Sequence, residues 1–163
     1  MDRRSFNTCA GGILLSSSLP LYGKQDRIRI GQIGLAHPHA SGKLKAVQSL
    51  PETYEVIGVV EPDLSLRKRA RGVTFVSLDE LMDAKGLQAV VIETPVKYLV
   101  TTALPVVDAG KHIHLDKPAG PSLPPFAKLL ESAKRQDLCV QMGYMLRYNS
   151  AFEFMFKAVR EGW

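Results

Sequence analysis

Residues 28–39 read Ile-Arg-Ile-Gly-Gln-Ile-Gly-Leu-Ala-His-Pro-His, and this stretch decides the fold. Its first half, Ile28–Ile33, is rich in β-branched residues, which predicts a buried strand. A loop follows, in which Gly34, Ala36 and His39 take the three glycine positions of the pattern Gly-x-Gly-x-x-Gly. A helix is predicted directly after this loop. Because the amides that begin a helix attract anions, a strand, loop and helix in this order predict a site for a phosphate-bearing ligand.

The rest of the chain repeats this alternation of strand and helix. Further strands are predicted at Tyr54–Val60, Val73–Val76, Leu87–Ile92, His112–Leu115 and Leu138–Met142. Helices are predicted at Ser41–Leu50, Ser65–Arg71, Leu78–Ala84, Val96–Ala109, Ser122–Gln136 and Asn149–Glu161. Strands alternating with helices indicate parallel βαβ units, and near-continuous apolar strands indicate a sheet covered on both faces. The fold class is therefore α/β, a doubly wound parallel sheet of the Rossmann dinucleotide-binding type.

Composition narrows the class of protein. The chain has 163 residues with 45% hydrophobic residues, which suits one globular domain. A net charge of +5 spread along the chain, without interleaved aromatic residues, argues against nucleic-acid binding. No apolar run approaches the roughly 18 residues of a membrane span. Two cysteines exclude a disulfide framework.

The first 23 residues are typical of an export signal. Arg3-Arg4 precedes a short, weakly apolar stretch, which favours the twin-arginine route to the periplasm; the alternative is an amphipathic N-terminus. Residues 24–148 are then the NAD(P)-binding Rossmann domain. Residues 149–163 begin a helix that leads out of it.

Glu61 ends the second strand, where an acidic residue accepts hydrogen bonds from the adenosine ribose hydroxyls. A carboxylate there favours NAD over NADP, because it repels a 2′-phosphate. Arg67 and Lys68 follow closely along the chain and could bind a 2′-phosphate, so NADP remains possible as the cofactor. In the alternative interpretation, Glu61 only caps the turn at Pro62-Asp63.

Two further strand ends carry candidate ligand-binding residues. Thr94-Pro95 follows the fourth predicted strand and Asp116-Lys117-Pro118 follows the fifth, and ligands bind at the carboxyl ends of such strands. Pro118 restricts the backbone of Lys117 and so fixes the direction of its side chain. A lysine held beside a nicotinamide can hydrogen-bond a substrate hydroxyl while hydride leaves the same carbon. The alternative is a solvated lysine with Asp116 as its ion partner.

Two His-x-His pairs, His37/His39 and His112/His114, raise the question of a metal. The sequence shows no cluster of acidic residues or cysteines that supplies further ligands. We therefore expect His37 and His39 to line the phosphate loop and expect no metal, with a metal-binding exported protein as an alternative.

Five segments together resemble the Gfo/Idh/MocA family, which includes glucose–fructose oxidoreductase and inositol dehydrogenase. They are Gly34-x-Ala36, Glu61–Asp63, Val91–Pro95, Ala109–Ala119 and Gly143–Asn149. The resemblance implies an oxidoreductase that moves hydride between NAD(P) and a sugar- or polyol-like substrate. It further implies that Lys117 is catalytic, that its bond to Pro118 is often cis, and that Arg147 lies near cofactor and substrate. With it, the expected cofactor contacts are Gly34, Ala36, His37, His39, Glu61, Thr94, Pro95, Asp116, Lys117 and Arg147.

The chain departs from the family pattern in three respects. Ala36 and His39 stand where glycine is usual, and Leu99 stands where members often carry histidine. The second domain that supplies most of the family's sugar pocket has no counterpart in these residues. We therefore expect a fragment that binds cofactor and turns over little, in a protein that can be a homo-oligomer. A non-catalytic nucleotide-binding or partner-docking module is the alternative.

Overall fold

The computed structural model describes residues 26–163, so the predicted export signal lies outside the described residues. Five parallel strands form one sheet in the order β2-β1-β3-β4-β5. They are β1 (Ile28–Ile33), β2 (Tyr54–Val60), β3 (Ala89–Ile92), β4 (His112–Leu115) and β5 (Val140–Met142). The predicted α/β doubly wound class is confirmed.

Within residues 26–163, six α-helices connect or follow these strands. They are α1 (Ala40–Gln48), α2 (Leu64–Arg67), α3 (Leu78–Met82), α4 (Leu99–Asp108), α5 (Leu123–Arg135) and α6 (Ser150–Glu161), with a 3₁₀ turn at Val96–Tyr98. The local sequence explains where several of these helices begin or end. Ser77 forms a capping box with Glu80 at the start of α3, and Asn149 accepts two amides at the start of α6. Gly110, with φ of 74°, follows α4.

One predicted strand is wrong. Residues 73–76 make only a single parallel bridge, Val59 to Phe75, so the described sheet has five strands where the sequence predicted six. The segment is confined between Gly72, which has φ of 66°, and the cap residue Ser77. A ladder has no room to extend between a turn and a helix start that are so close together.

Apolar side chains cover both faces of the sheet. The larger cluster joins β1, β3 and β4 to α3, α4 and α5, and Leu81, Ile92 and Leu99 are fully buried within it. A smaller cluster around Leu35 and Leu44 packs α1 against β2. These two layers hold the carboxyl ends of β1, β3 and β4 in fixed relative positions, and the candidate site lies there.

The C-terminal segment contrasts with this core. Helix α6 has no buried residue, and large apolar side chains between Tyr144 and Trp163 are exposed. None of the helices in the described part of the chain combines the length and apolar character needed to cross a bilayer.

Candidate functional site

A cleft of about 450 Å³ opens at the carboxyl ends of β1 and β3. β1 is followed along the chain by β2 on one side of it in the sheet, while β3 lies on its other side, so the cleft sits at the topological switch point. Five of the predicted cofactor contacts line it together: Gly34, Ala36, Glu61, Thr94 and Pro95. Tyr98, Thr101 and Thr102, which sequence reasoning did not single out, also line it.

Gly34 permits the tight turn that leaves β1. Its φ is +92°, a conformation that L side chains rarely adopt. A Cβ at this position would lie 2.8 Å from the backbone carbonyl carbon and oxygen of Glu93 and from the Thr94 nitrogen. The loop therefore packs directly against the end of β3, and only glycine fits at the contact.

Glu61 is 5% exposed, and its carboxylate binds two backbone amides. The Leu35 N–H donates to Oε2 at 2.7 Å and the Asp63 N–H donates to Oε1 at 2.9 Å. The side chain thus caps the turn after β2 and also ties the phosphate loop to that strand. A carboxylate offers about four acceptor positions, so two remain for a further ligand.

Two arginines hold the loop and its neighbouring turn. The Arg67 Nε donates to the Glu61 carbonyl oxygen at 2.9 Å, and its guanidinium lies 4.8 Å from the Phe75 ring centroid. The Arg69 guanidinium donates to the carbonyl oxygens of Leu35 at 2.6 Å and His37 at 3.4 Å. Sequence reasoning missed Arg69, because its place in a basic run gave no sign that it reaches back to the loop.

The backbone amides show what the loop offers an anion. Four of them already donate within the protein: those of Leu35, His37, His39 and Ala40. Pro38 has no N–H. Within the described residues, the Ala36 amide and the first-turn amides of Ser41 and Gly42 have no acceptor. The Ala36 amide and the start of α1 could therefore donate to an anion such as a phosphate group.

A second group of residues, which we call the His–acid cluster, consists of His37, His39, Glu93, His114 and Asp116. None of them lines the cleft. Their ligating atoms are close: His37 Nδ1 lies 3.3 Å from Glu93 Oε2 and 3.6 Å from Asp116 Oδ2, and His39 Nδ1 lies 3.0 Å from Asp116 Oδ2. Glu93 and Asp116 are fully buried, His37 is 5% exposed and His39 is 27% exposed at the side chain.

The expectation that no acidic residues accompany the histidine pairs is therefore wrong. β3 and β4 are neighbours in the sheet, and each is followed by an acidic residue that reaches the same point. The two histidines of the second pair, His112 and His114, lie in different surroundings. His114 joins the His–acid cluster, whereas the His112 Nδ1 accepts the Cys139 amide at 3.0 Å.

Burial dominates the electrostatics of the His–acid cluster. It raises the pKa of Glu93 to about 8, with the neighbouring Asp116 carboxylate adding to the effect. Burial, together with Lys43, lowers the pKa of His114 to about 4, and burial also lowers the pKa of His37. For Asp116, burial acts to raise the pKa, but the Lys117 amide and His39 outweigh it and hold the pKa below its ordinary value.

Lys117 follows Asp116 directly and lies beside the His–acid cluster. Its peptide bond to Pro118 is cis, as the resemblance implied, and its side chain is exposed. The Asp116 carboxylate accepts the backbone N–H of Lys117 at 2.6 Å, and among the described residues no ion pair joins the two side chains. Lys117 and Arg147 line a separate cavity of about 870 Å³. Its other lining residues are Tyr144, Met145, Leu146, Phe152 and Phe156.

Comparison with known proteins agrees with this geometry. Residues 28–144 match the model of an oxidoreductase family with an NAD-binding Rossmann fold, GFO_IDH_MocA. The chain is 27% identical to the inositol 2-dehydrogenase of Leifsonia xyli subsp. xyli over 140 residues, covering 83% of this chain and 41% of the relative. It is 22% identical to an inositol 2-dehydrogenase of Corynebacterium glutamicum, with 83% and 42% covered.

Solved structures share the fold. The WlbA dehydrogenase from Bordetella pertussis, in complex with NADH and UDP-GlcNAcA, superposes with a TM-score of 0.73 at 18% identity, covering 84% of this chain and 43% of that one. The scyllo-inositol dehydrogenase from Lactobacillus casei, with bound NAD(H) and scyllo-inositol, gives 0.72 at 20% identity, with 84% and 42% covered. The chain thus spans about two fifths of the length of its curated relatives. It belongs to the Gfo/Idh/MocA oxidoreductase family and comprises that family's NAD-binding Rossmann domain.

Proposed function

We propose that the cleft binds NAD, and that the chain serves the nucleotide half of hydride transfer to or from a sugar- or polyol-like substrate. The observation that carries this proposal is the convergence of Gly34, Ala36, Glu61, Thr94 and Pro95 on one cleft at the switch point of the sheet. Ala36 and the start of α1 hold the pyrophosphate, Glu61 the adenosine ribose, and Thr94 and Pro95 the nicotinamide side.

NAD is the preferred cofactor in this proposal. The Glu61 carboxylate faces the position of the ribose hydroxyls and would repel a 2′-phosphate. Arg67, which could have offset that repulsion, already donates to the Glu61 carbonyl oxygen and stacks on Phe75. Lys68 is the exposed cation that remains nearby in the sequence.

Titration with NADH and NADPH tests the cofactor assignment. We expect saturable NADH binding by the 163-residue chain, at least tenfold tighter than NADPH binding. Glu61→Gln keeps the shape but offers one acceptor oxygen, so it leaves the amide of Leu35 or Asp63 unpaired and weakens NADH binding about tenfold. Glu55→Gln is the matched control, because Glu55 lies near the start of β2, at the opposite end from Glu61, and makes ion pairs at the surface with Arg27 and Arg29. Absence of NADH binding by the wild-type chain would refute the proposal.

Lys117 is proposed as the catalytic lysine that hydrogen-bonds the reacting hydroxyl. Asp116, through the backbone N–H that it accepts, fixes the peptide that carries this side chain. The exposed ammonium group borders the cavity shared with Arg147, which leaves space for a substrate.

The role of Lys117 is tested in the longest gene product that contains this chain. Lys117→Ala is expected to lower kcat with a polyol such as myo-inositol by at least a hundredfold, while changing the NADH Kd by less than threefold. Lys111→Ala is the control, because Lys111 directly precedes β4 and so lies at the opposite end of this strand from Lys117. An unchanged kcat would contradict the assignment.

Export by the twin-arginine route is part of the proposal and rests on Arg3-Arg4 and the short apolar stretch that follows. Fusing residues 1–23 to a reporter that functions only after export in the folded state tests it. We expect Arg3→Lys/Arg4→Lys to abolish periplasmic reporter activity. Export that persists in this double variant would contradict the twin-arginine assignment.

A further inference from the structure

We propose that the His–acid cluster is a binding site for one divalent transition-metal ion, held by His37, His39, Glu93 and Asp116. Three segments that are distant in sequence supply these side chains: the phosphate loop, the end of β3 and the end of β4. The site is separate from the dinucleotide cleft, and the inference does not rest on cofactor binding.

The distances suit such an ion. A tetrahedral zinc site with metal–ligand bonds of about 2.0–2.1 Å has ligand atoms about 3.3 Å apart. The observed separations are 3.3 Å from His37 Nδ1 to Glu93 Oε2, 3.6 Å from His37 Nδ1 to Asp116 Oδ2, and 3.0 Å from His39 Nδ1 to Asp116 Oδ2. All three therefore lie within a few tenths of an ångström of the ligand spacing.

The His–acid cluster also has more acceptors than donors. Within the described residues, neither oxygen of the fully buried Glu93 carboxyl has a hydrogen bond of good geometry, and the buried Nε2 of His114 has none. His37 Nδ1 accepts the His39 amide at 3.3 Å, so this nitrogen carries a lone pair and no proton that it could donate to Glu93; an ion bound to Nδ1 would replace that hydrogen bond. Buried acceptors that face one another without a donor are costly, and a cation between them removes that cost.

The donor set indicates the chemical class of the ion. Imidazole nitrogens with carboxylate oxygens suit zinc, iron, manganese or nickel, whereas sites for calcium and magnesium are built from oxygen alone. Two carboxylates balance the charge of one divalent ion. Bound there, the ion would join the phosphate loop to β3 and β4, so we expect it to stabilise the loop and the fold.

A proton on Glu93 is the competing explanation for the same geometry. Burial beside Asp116 favours the protonated carboxyl, which would donate to one of its neighbours without any ion. The two explanations differ in what zinc does to the protein, and isosteric variants separate them.

The test is calorimetric titration of the untagged, EDTA-treated chain with ZnCl₂, in a Cys9→Ser/Cys139→Ser background that removes both thiols of the chain. We expect one equivalent bound with a Kd at or below the micromolar range. Asp116→Asn and His37→Gln should weaken binding at least a hundredfold. His112→Gln is the matched control, because this histidine belongs to the same strand as His114 but lies outside the His–acid cluster. It should bind zinc as the parent does.

Glu93→Gln provides a second test, which is independent of whether Asp116→Asn and His37→Gln fold. It retains the side-chain shape and removes the carboxylate, so circular dichroism should show a folded chain whose unfolding temperature no longer rises with zinc. Absence of saturable zinc binding in the parent would overturn the proposal. So would undiminished binding in Asp116→Asn, or an unfolding temperature of Glu93→Gln that still rises with zinc as in the parent.

Discussion

The phosphate loop borders two regions, the dinucleotide cleft and the His–acid cluster. Each contains a buried glutamate, and the two glutamates differ in how their carboxyl oxygens are hydrogen-bonded. In the cleft, each oxygen of Glu61 accepts a backbone amide at 2.7 or 2.9 Å. In the His–acid cluster, Glu93 is buried more deeply, and no group in residues 26–163 donates a hydrogen bond to its carboxyl. The cleft is therefore preorganised by the protein itself, whereas the His–acid cluster depends on a proton or a cation for its stability.

The two proposed sites share this loop. The backbone of the loop is held by the protein itself, since Gly34 packs against β3 and the Arg69 guanidinium donates to three of the loop's carbonyl oxygens. The Ala36 side of the loop is left to face the cleft, and the two histidine side chains are left to face β3 and β4. The variants below affect one region, both or neither.

The largest effect is expected from Gly34→Val. A side chain here meets Glu93 and Thr94 backbone atoms at 2.8 Å and needs φ near +92°, so we expect a loss of about 3 kcal/mol or more of unfolding free energy. NADH binding should fall below detection. Urea unfolding and NADH fluorescence measure the two effects.

Two controls accompany Gly34→Val. Gly58→Ala also creates a close contact, 2.8 Å from a Val76 methyl group, but lies away from the cleft, so it should lower stability and leave NADH affinity unchanged. Gly42→Ala meets no atom within 4 Å and should stabilise α1 by about 1 kcal/mol. Equal loss of NADH binding in Gly58→Ala would show that the effect of Gly34→Val is only a general loss of stability.

A pH effect of about 2 kcal/mol is expected from Glu93. Its pKa is raised to about 8, so at intermediate pH the folded chain keeps a proton that the unfolded chain has lost, and stability falls as pH rises. His114, with its pKa lowered to about 4, acts in the opposite direction, but only up to its ordinary pKa near 6.5. From about pH 6.5 to 8, the fall due to Glu93 therefore stands alone.

Urea unfolding in EDTA at several pH values measures this fall. Glu93→Gln should flatten the profile between about pH 6.5 and 8, and Glu55→Gln should keep it. Lys43, His37 and Asp116 also act on the His–acid cluster, but none of them is removed by either substitution. If the unfolding free energy of Glu93→Gln falls with pH as steeply as that of the parent, another group is responsible for the pH dependence.

A smaller effect, affecting both regions, is expected from Arg69→Ala. The lost hydrogen bonds to Leu35 and His37 carbonyl oxygens release the loop, at a cost of about 1.5 kcal/mol. NADH and zinc affinities should each fall about tenfold. Arg71→Ala, an exposed neighbour in the same basic run, should change neither affinity. A loss confined to one ligand would contradict a shared loop.

The smallest effect, affecting neither region, is expected from Ser77→Ala. Its hydroxyl accepts the Glu80 amide at 3.1 Å and caps α3, so its removal should cost about 1 kcal/mol. Both ligand affinities should stay within twofold of the parent. A change in either affinity would show that α3 is coupled to the loop.

The local sequence pattern correctly predicted those parts of the structure that depend on neighbouring residues in the chain. The run Ile28–Ile33 followed by Gly34 predicted a buried strand and a tight turn, and both are present. Pattern failed at residues 73–76, where a β-branched run is too tightly confined between a turn and a helix start to form a strand.

The His–acid cluster and Arg69 were beyond such reasoning. His37 and Asp116 are far apart along the chain, and they lie 3.6 Å apart only because β3 and β4 lie side by side next to the loop after β1. Arg69 reaches the loop from a turn that the sequence predicted as helix. Contacts of this kind depend on strand order and on where α2 ends, and neither can be read from residue spacing.

A crystal structure of the chain grown with NADH tests the central claim most directly. We expect the pyrophosphate beside Ala36 and the start of α1, the adenosine ribose within hydrogen-bonding distance of Glu61, and the nicotinamide against Thr94 and Pro95. A dinucleotide bound elsewhere, or a cleft that stays free of it at saturating NADH, would contradict the claim that this cleft is the cofactor site.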